Sequence, residues 1–130
     1  MKAAKELGRL RRKGEFRRVF DEGTAIVGRS LVLRACPVDA QVTRVGFVVS
    51  RKLGGAVQRN RLRRRAREAL RSFAGEVRSG FDLVILPRAR AGECGFSQLV
   101  AELRGLLQRA GALAGEGGNG EAETGRDLGS

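Results

Sequence analysis

Histidine, tryptophan and tyrosine are missing from the 130-residue chain, and only two cysteines, two prolines and one methionine occur in it. Without histidine, the side chain that ordinarily changes charge near neutral pH is gone, and with it the usual acid–base group for RNA cleavage. Cys36 and Cys94 are too few for a disulfide framework and wrongly spaced for a zinc site. No apolar run approaches a membrane span, so no membrane partner is expected. The opening Met1-Lys2-Ala3-Ala4-Lys5-Glu6 leads into charged sequence, unlike a signal peptide, which predicts a cytoplasmic protein. Acids are also scarce: 14 Asp and Glu stand against 26 Lys and Arg, a formal net charge of +12. Such an excess points to a polyanionic partner, nucleic acid above all.

The basic residues crowd into Arg51–Arg71, which turns through Gly54-Gly55 and then enters a helix. Helical spacing puts Leu62, Ala66, Ala69, Leu70 and Phe73 on one face able to dock on a sheet. Asn60, Arg64, Arg67 and Arg71 fall on the opposite side, Arg61 and Arg65 form a neighbouring row, and Arg59 and Arg63 flank the apolar stripe. Like charges at i, i+4 repel by ~0.2–0.5 kcal/mol per pair, and Glu68 is the only acid in the stretch. A solvated face would interleave both signs; this one calls for phosphate.

The elements follow from pattern. Residues 1–12 read as a basic arm, and Phe16, Val19 and Phe20 mark a short helix over 15–22 closed by Gly23. Two phenylalanines a turn apart suit either a core face or a platform for bases. Thr24 to Val27 and Leu31 to Cys36 read as strands, the second stopped by Pro37, and Val42 to Ser50 as a third. Phe81 to Leu86 is a nearly continuous apolar run, expected to be a strand covered on both faces and parallel to the third through the basic helix. Phe96, Leu99, Val100, Leu103, Leu106, Leu107 and Ala110 give a packing helix. Residues 111–130, rich in glycine and acid, are expected to be a disordered tail. One domain over 13–110 results.

No active site of the chain's own is visible. Asp39 and Asp82 are isolated, no close carboxylate pair offers a two-metal cradle, and Gly54-Gly55 lacks the Gly-Lys-Ser/Thr ending of a phosphate loop. Catalysis would have to come from a partner.

The run Arg59-Asn60-Arg61-Leu62-Arg63-Arg64-Arg65-Ala66-Arg67-Glu68 resembles the RNR signature of the bacterial ribonuclease P protein family. Phe16-Arg17-Arg18-Val19-Phe20, Gly23, Arg44-Val45-Gly46-Phe47, Val49-Ser50-Arg51-Lys52, Gly54 and Ala56-Val57 stand in the family's order, and the likeness covers roughly Leu7 to Ala110. The resemblance implies an α+β fold of order αβββαβα, a two-layer α/β sandwich like that of certain ribosomal proteins, with a left-handed crossover at the basic helix. It implies binding to the catalytic ribonuclease P RNA through Arg51, Lys52, Arg59, Asn60, Arg61, Arg63, Arg64 and Arg67. A cleft between the first helix and the sheet would hold the 5′ leader of precursor tRNA, with Phe16 and Phe20 at its aromatic positions. Hydrolysis would belong to the RNA subunit with Mg²⁺; no metal site in the protein, and no protein partner, is implied.

Some positions depart from the family pattern. Arg34 stands where an aromatic is common, exchanging a stacking contact for a phosphate contact, and Val48 makes the cleft more apolar. Gly55 replaces a frequent asparagine, and Arg65 occupies a usually apolar helix position. Two rival readings remain: a free-standing or ribosome-associated RNA-binding module, and a protein-only nuclease.

Overall fold

The computed structural model describes residues 7–114. A mixed sheet of five strands forms the middle of the molecule, in the order β1-β4-β5-β3-β2. The strands are β1 (Gly8–Arg9), β2 (Thr24–Val27), β3 (Leu31–Pro37), β4 (Arg44–Phe47) and β5 (Phe81–Pro87), and the helices α1 (Lys13–Glu22), α2 (Ala56–Arg71) and α3 (Phe96–Arg109). β3 pairs antiparallel with β2 and β5, whereas β4 runs parallel to β5 and β1. The αβββαβα order is therefore present, preceded by one short strand.

Alternation between two covered faces explains why β5 is apolar apart from Asp82. Leu83 and Ile85 join Leu31, Leu33, Ala35 and Val45 against α2 and α3, while Val84 faces the other way with Cys36, Leu10 and Val19 of α1. Two layers were expected; the second apolar face of β3 and β5 demands cover, and α1 supplies part of a third. The helix stripe is where spacing put it: Leu62, Ala66, Ala69, Leu70 and Phe73 are all buried.

Both ends of the fold lie outside the boundaries expected from composition. Gly8 and Arg9 are paired with Arg44 and Val45, and Leu10 is buried, so the basic arm adds a two-residue strand to the sheet. At the other end Ala112 and Leu113 are buried, and Leu113 bridges to Val77. Two apolar side chains sufficed to dock a segment whose composition otherwise reads as a tail. Residues 1–6 and 115–130 of the expected arm and tail lie outside the described residues.

The third strand is also shorter than the expected 42–50. Thr43 is buried and its hydroxyl donates to the Arg78 carbonyl at 2.6 Å, while Ser50 Oγ accepts from Lys52 N–H and opens a 3₁₀ turn over Arg51–Leu53. That turn delivers the chain to Gly54, whose φ of +132° only glycine adopts readily, and so to the start of α2.

Candidate nucleic-acid interface

α2 carries seven arginines and one acid over its 16 residues. Asn60, Arg61, Arg64, Glu68 and Arg71 are exposed along its outer side, with Arg51 and Lys52 exposed in the turn before it. Among the described residues, no ion pair involves any of these arginines. Their charge is therefore uncompensated except by water. Val57, 83 % exposed one turn ahead of Asn60 and Arg61, adds an apolar contact to the same ridge. Asn60 accepts from Arg63 Nη1 at 2.6 Å, which orients both side chains.

Not every predicted arginine is free. Arg59 Nε donates to the Gly54 carbonyl at 3.2 Å, fastening the turn to the helix. Arg67 lies 5.6 Å above the Phe47 ring and is half-buried, so it leans toward β4 and off the outermost row. Arg65 donates to the carbonyls of Ala91 and Cys94, which accounts for a charged residue at a helix position that is usually apolar. It ties α2 to the loop that follows β5.

On the opposite face, α1 leaves part of the sheet uncovered, and a cleft forms there over Phe20, Val32, Arg34, Val48 and Leu86. Arg29, Arg88 and Arg90 stand around it, with Ser50 and Leu53 at the end nearest the basic turn. An apolar floor ringed by cations suits single-stranded nucleic acid. Three of the four residues assigned to the cleft by resemblance, Phe20, Arg34 and Val48, meet here. Phe16 does not: its ring rests on Gly46, where any Cβ would overlap Cε1, and it lines a separate hollow beside β1.

Arg34 is arranged differently from the expectation that it would offer a phosphate contact. Its guanidinium sits 4.9 Å over the Phe20 ring and donates through Nη2 to the Phe20 carbonyl at 2.9 Å, while Nε is buried without a partner. The charge is folded back onto α1, holding Phe20 in place and covering one side of its ring.

α1 itself is pinned by a charge relay between layers. Glu15 accepts from the backbone N–H groups of Arg11 and Arg12 and from Arg44 Nη1 at 3.0 Å. Arg44 also grips Asp82, whose side chain is 1 % exposed, through Nε and Nη2 at 3.0 and 2.7 Å. The backbone donors at Arg11 and Arg12 first, and Arg44 as well, hold the Glu15 carboxyl below its ordinary value. Chiefly through its bonds to Asp82, Arg44 is shifted upward.

The cations around the cleft were only partly legible in sequence. Arg88 and Arg90 follow the last strand visibly; Arg29 does not stand out, and reaches the cleft because Leu31 pairs with Pro87. Register, not spacing, brings the hairpin turn to the end of β5.

Comparison with known proteins settles the family. The family model described as Ribonuclease P matches residues 4–111. The chain belongs to the ribonuclease P protein family. The ribonuclease P protein component of Roseiflexus castenholzii is 43% identical over 108 residues, covering 82% of this chain and 88% of the relative. That of Chloroflexus aurantiacus is 44% identical over 103 residues, covering 78% and 76%. Among solved structures, the RNase P protein of Thermotoga maritima is 34% identical with a TM-score of 0.71, over 78% of this chain and 96% of that one. The RNase P protein of Staphylococcus aureus is 25% identical with a TM-score of 0.72, over 84% and 100%.

Proposed function

We propose that the chain, as the protein subunit of a bacterial ribonuclease P, binds the catalytic RNA along α2 and the 5′ leader of precursor tRNA in the cleft beside α1. The observation that carries this reading is the pairing of an unpartnered arginine ridge with a separate, cation-ringed apolar cleft on the other face of one sheet. Two surfaces on opposite faces let one small protein hold an enzyme RNA and its substrate at once.

The division of labour follows from the side chains. Arg61 and Arg64, with Arg51, Lys52, Arg59, Arg63 and Arg67 around them, neutralise phosphates of the RNA subunit and release its counterions, and the neutral amide of Asn60 adds a hydrogen bond. In the cleft a leader base stacks on Phe20 or on the guanidinium plane of Arg34, Val48 supplies apolar contact, and Arg29, Arg88 and Arg90 track the backbone. Such contacts read little sequence, as suits leaders of many sequences.

Bond cleavage is assigned to the RNA subunit, which uses Mg²⁺ to activate water and stabilise charge on phosphorus. Among the described residues no group of three or more His, Cys, Asp or Glu is placed to hold a metal ion. Glu15 and Asp82 converge on Arg44, which already neutralises them, so they are poorly suited to hold a cation. The compartment is the cytoplasm, where tRNA precursors are processed.

A reconstitution tests the whole reading: protein alone, RNA subunit alone and both together, at moderate Mg²⁺, with precursor tRNA scored for a mature 5′ end. The expected result is no cleavage by protein alone and faster, tighter processing of leader-bearing substrate by the pair. Cleavage by the protein alone would reveal a nuclease in its own right; unchanged RNA turnover would mark a free-standing RNA-binding module.

A further inference from the structure

The hollow beside Phe16 is not used as a pocket in the scheme above, although Arg63 and Arg67 of its wall belong to the RNA-facing set. It measures about 410 Å³, within the ~300–1,000 Å³ usual for small-molecule sites. One wall is cationic, formed by Arg63, Arg67 and Arg71 from the flank of α2 that turns toward β1. The hollow's aromatic lining comes from the two faces of β4 at the sheet edge: Phe47 beneath Arg67 on the side of α2, and the Phe16 ring lying on Gly46 on the side of α1. No acidic residue lines it. The remaining side is the backbone of β1. Gly8 N–H and Leu10 N–H bond to the Thr43 and Val45 carbonyls of the β4 side. By strand alternation, the Arg9 N–H and carbonyl therefore point outward from the sheet edge.

These features together describe the parts of a nucleotide. A planar base can stack on the Arg67 guanidinium from the side away from Phe47, polar base edges meet an open strand edge, and a phosphate meets arginines with no carboxylate among the lining residues. We propose that this hollow binds one unpaired nucleotide of RNA, base inward and phosphate toward Arg63 and Arg71. The proposal rests on the reading of the chain as an RNA-binding subunit and adds a nucleotide pocket at the flank of α2. An unpaired nucleotide can come from the RNA subunit or from the precursor; the recognition chemistry is the same.

The first test uses the full chain and adenosine 5′-monophosphate, with inorganic phosphate and adenosine as controls, followed by backbone NMR. Shifts should centre on Gly8, Gly46 and Ala74, and saturate at lower concentration than with either control. Arg71→Ala, at an exposed position, should weaken the nucleotide at least fivefold, and Phe47→Leu, which keeps most of the packing volume, should do likewise. Shifts confined to the cleft of Phe20 and Arg34, or equal responses to phosphate alone, would overturn the proposal. The second test places a benzophenone photocrosslinker at Ala74 in the reconstituted complex. A crosslink to an unpaired nucleotide of the RNA subunit, or of the precursor, supports the pocket and names its source. Normal assembly and cleavage with no crosslink to either RNA would sink the pocket alone, whereas failure of the unmodified chain to bind the RNA subunit would sink the reading beneath it.

Discussion

At Gly46 a single hydrogen in place of a side chain lets α1 lie on the sheet, because the Phe16 ring occupies the space a Cβ would need. Gly46→Ala should therefore cost about 1–3 kcal/mol by overpacking. The same change in a Phe16→Ala background should cost much less. Urea unfolding of the four variants checks this, and additive costs would show that ring and glycine do not press on each other. Glu15 supports a second residue-level expectation, in acid. Its carboxyl is held below the ordinary value of 4.5, so its stabilising contribution is complete above that pH and fades as pH falls through the lower, folded value. Glu15→Gln should flatten that part of the stability profile between neutral and acid pH, as followed by chemical unfolding at a series of pH values. Unchanged acid sensitivity would place the titrating group elsewhere.

Among the elements, α2 divides its arginines between tasks: Arg65 fastens a loop, Arg67 stacks on Phe47, and Arg61 and Arg64 stand free. Replacing Arg61 and Arg64 together with alanine should weaken RNA-subunit binding and flatten its salt dependence, by roughly 0.7–0.9 log units per lost phosphate contact. Filter binding from low to moderate salt measures the slope; an unchanged slope would remove these two from the interface. Periodicity made the buried stripe of α2 legible, since Leu62, Ala66, Ala69 and Leu70 alone can meet a sheet. It could not sort the arginines, because a long guanidinium reaches neighbours that only the tertiary fold supplies, such as the carbonyls of Ala91 and Cys94. Spacing left Phe16 and Phe20 open between core and platform and the family resemblance put both in one cleft, whereas Gly46 takes the first and Arg34 the second. β1 went unseen because two residues carry no period; its pairing depends wholly on β4 being there to receive it.

For the molecule as a whole, the C-terminal limit of the fold has a measurable meaning. A chain ending at Ala110 loses the buried Ala112 and Leu113, and the Leu113 side chain alone represents about 1.5–3 kcal/mol of burial. A chain ending at Ala114 keeps both. Thermal or urea unfolding should separate the two truncations clearly, and equal stability would mean that the bridge to Val77 contributes nothing. The strand order has a consequence of another kind. β5 lies at the centre of the sheet yet is the last of its strands to be synthesised, and both of its neighbours come from earlier in the chain. While the polypeptide is still emerging from the ribosome, β3 and β4 wait with nothing between them, and the apolar stripe of α2 has no finished surface to rest on. Assembly is therefore governed by distant contacts and completed late, so the nascent arginine-rich helix spends its first moments unshielded among ribosomal RNA.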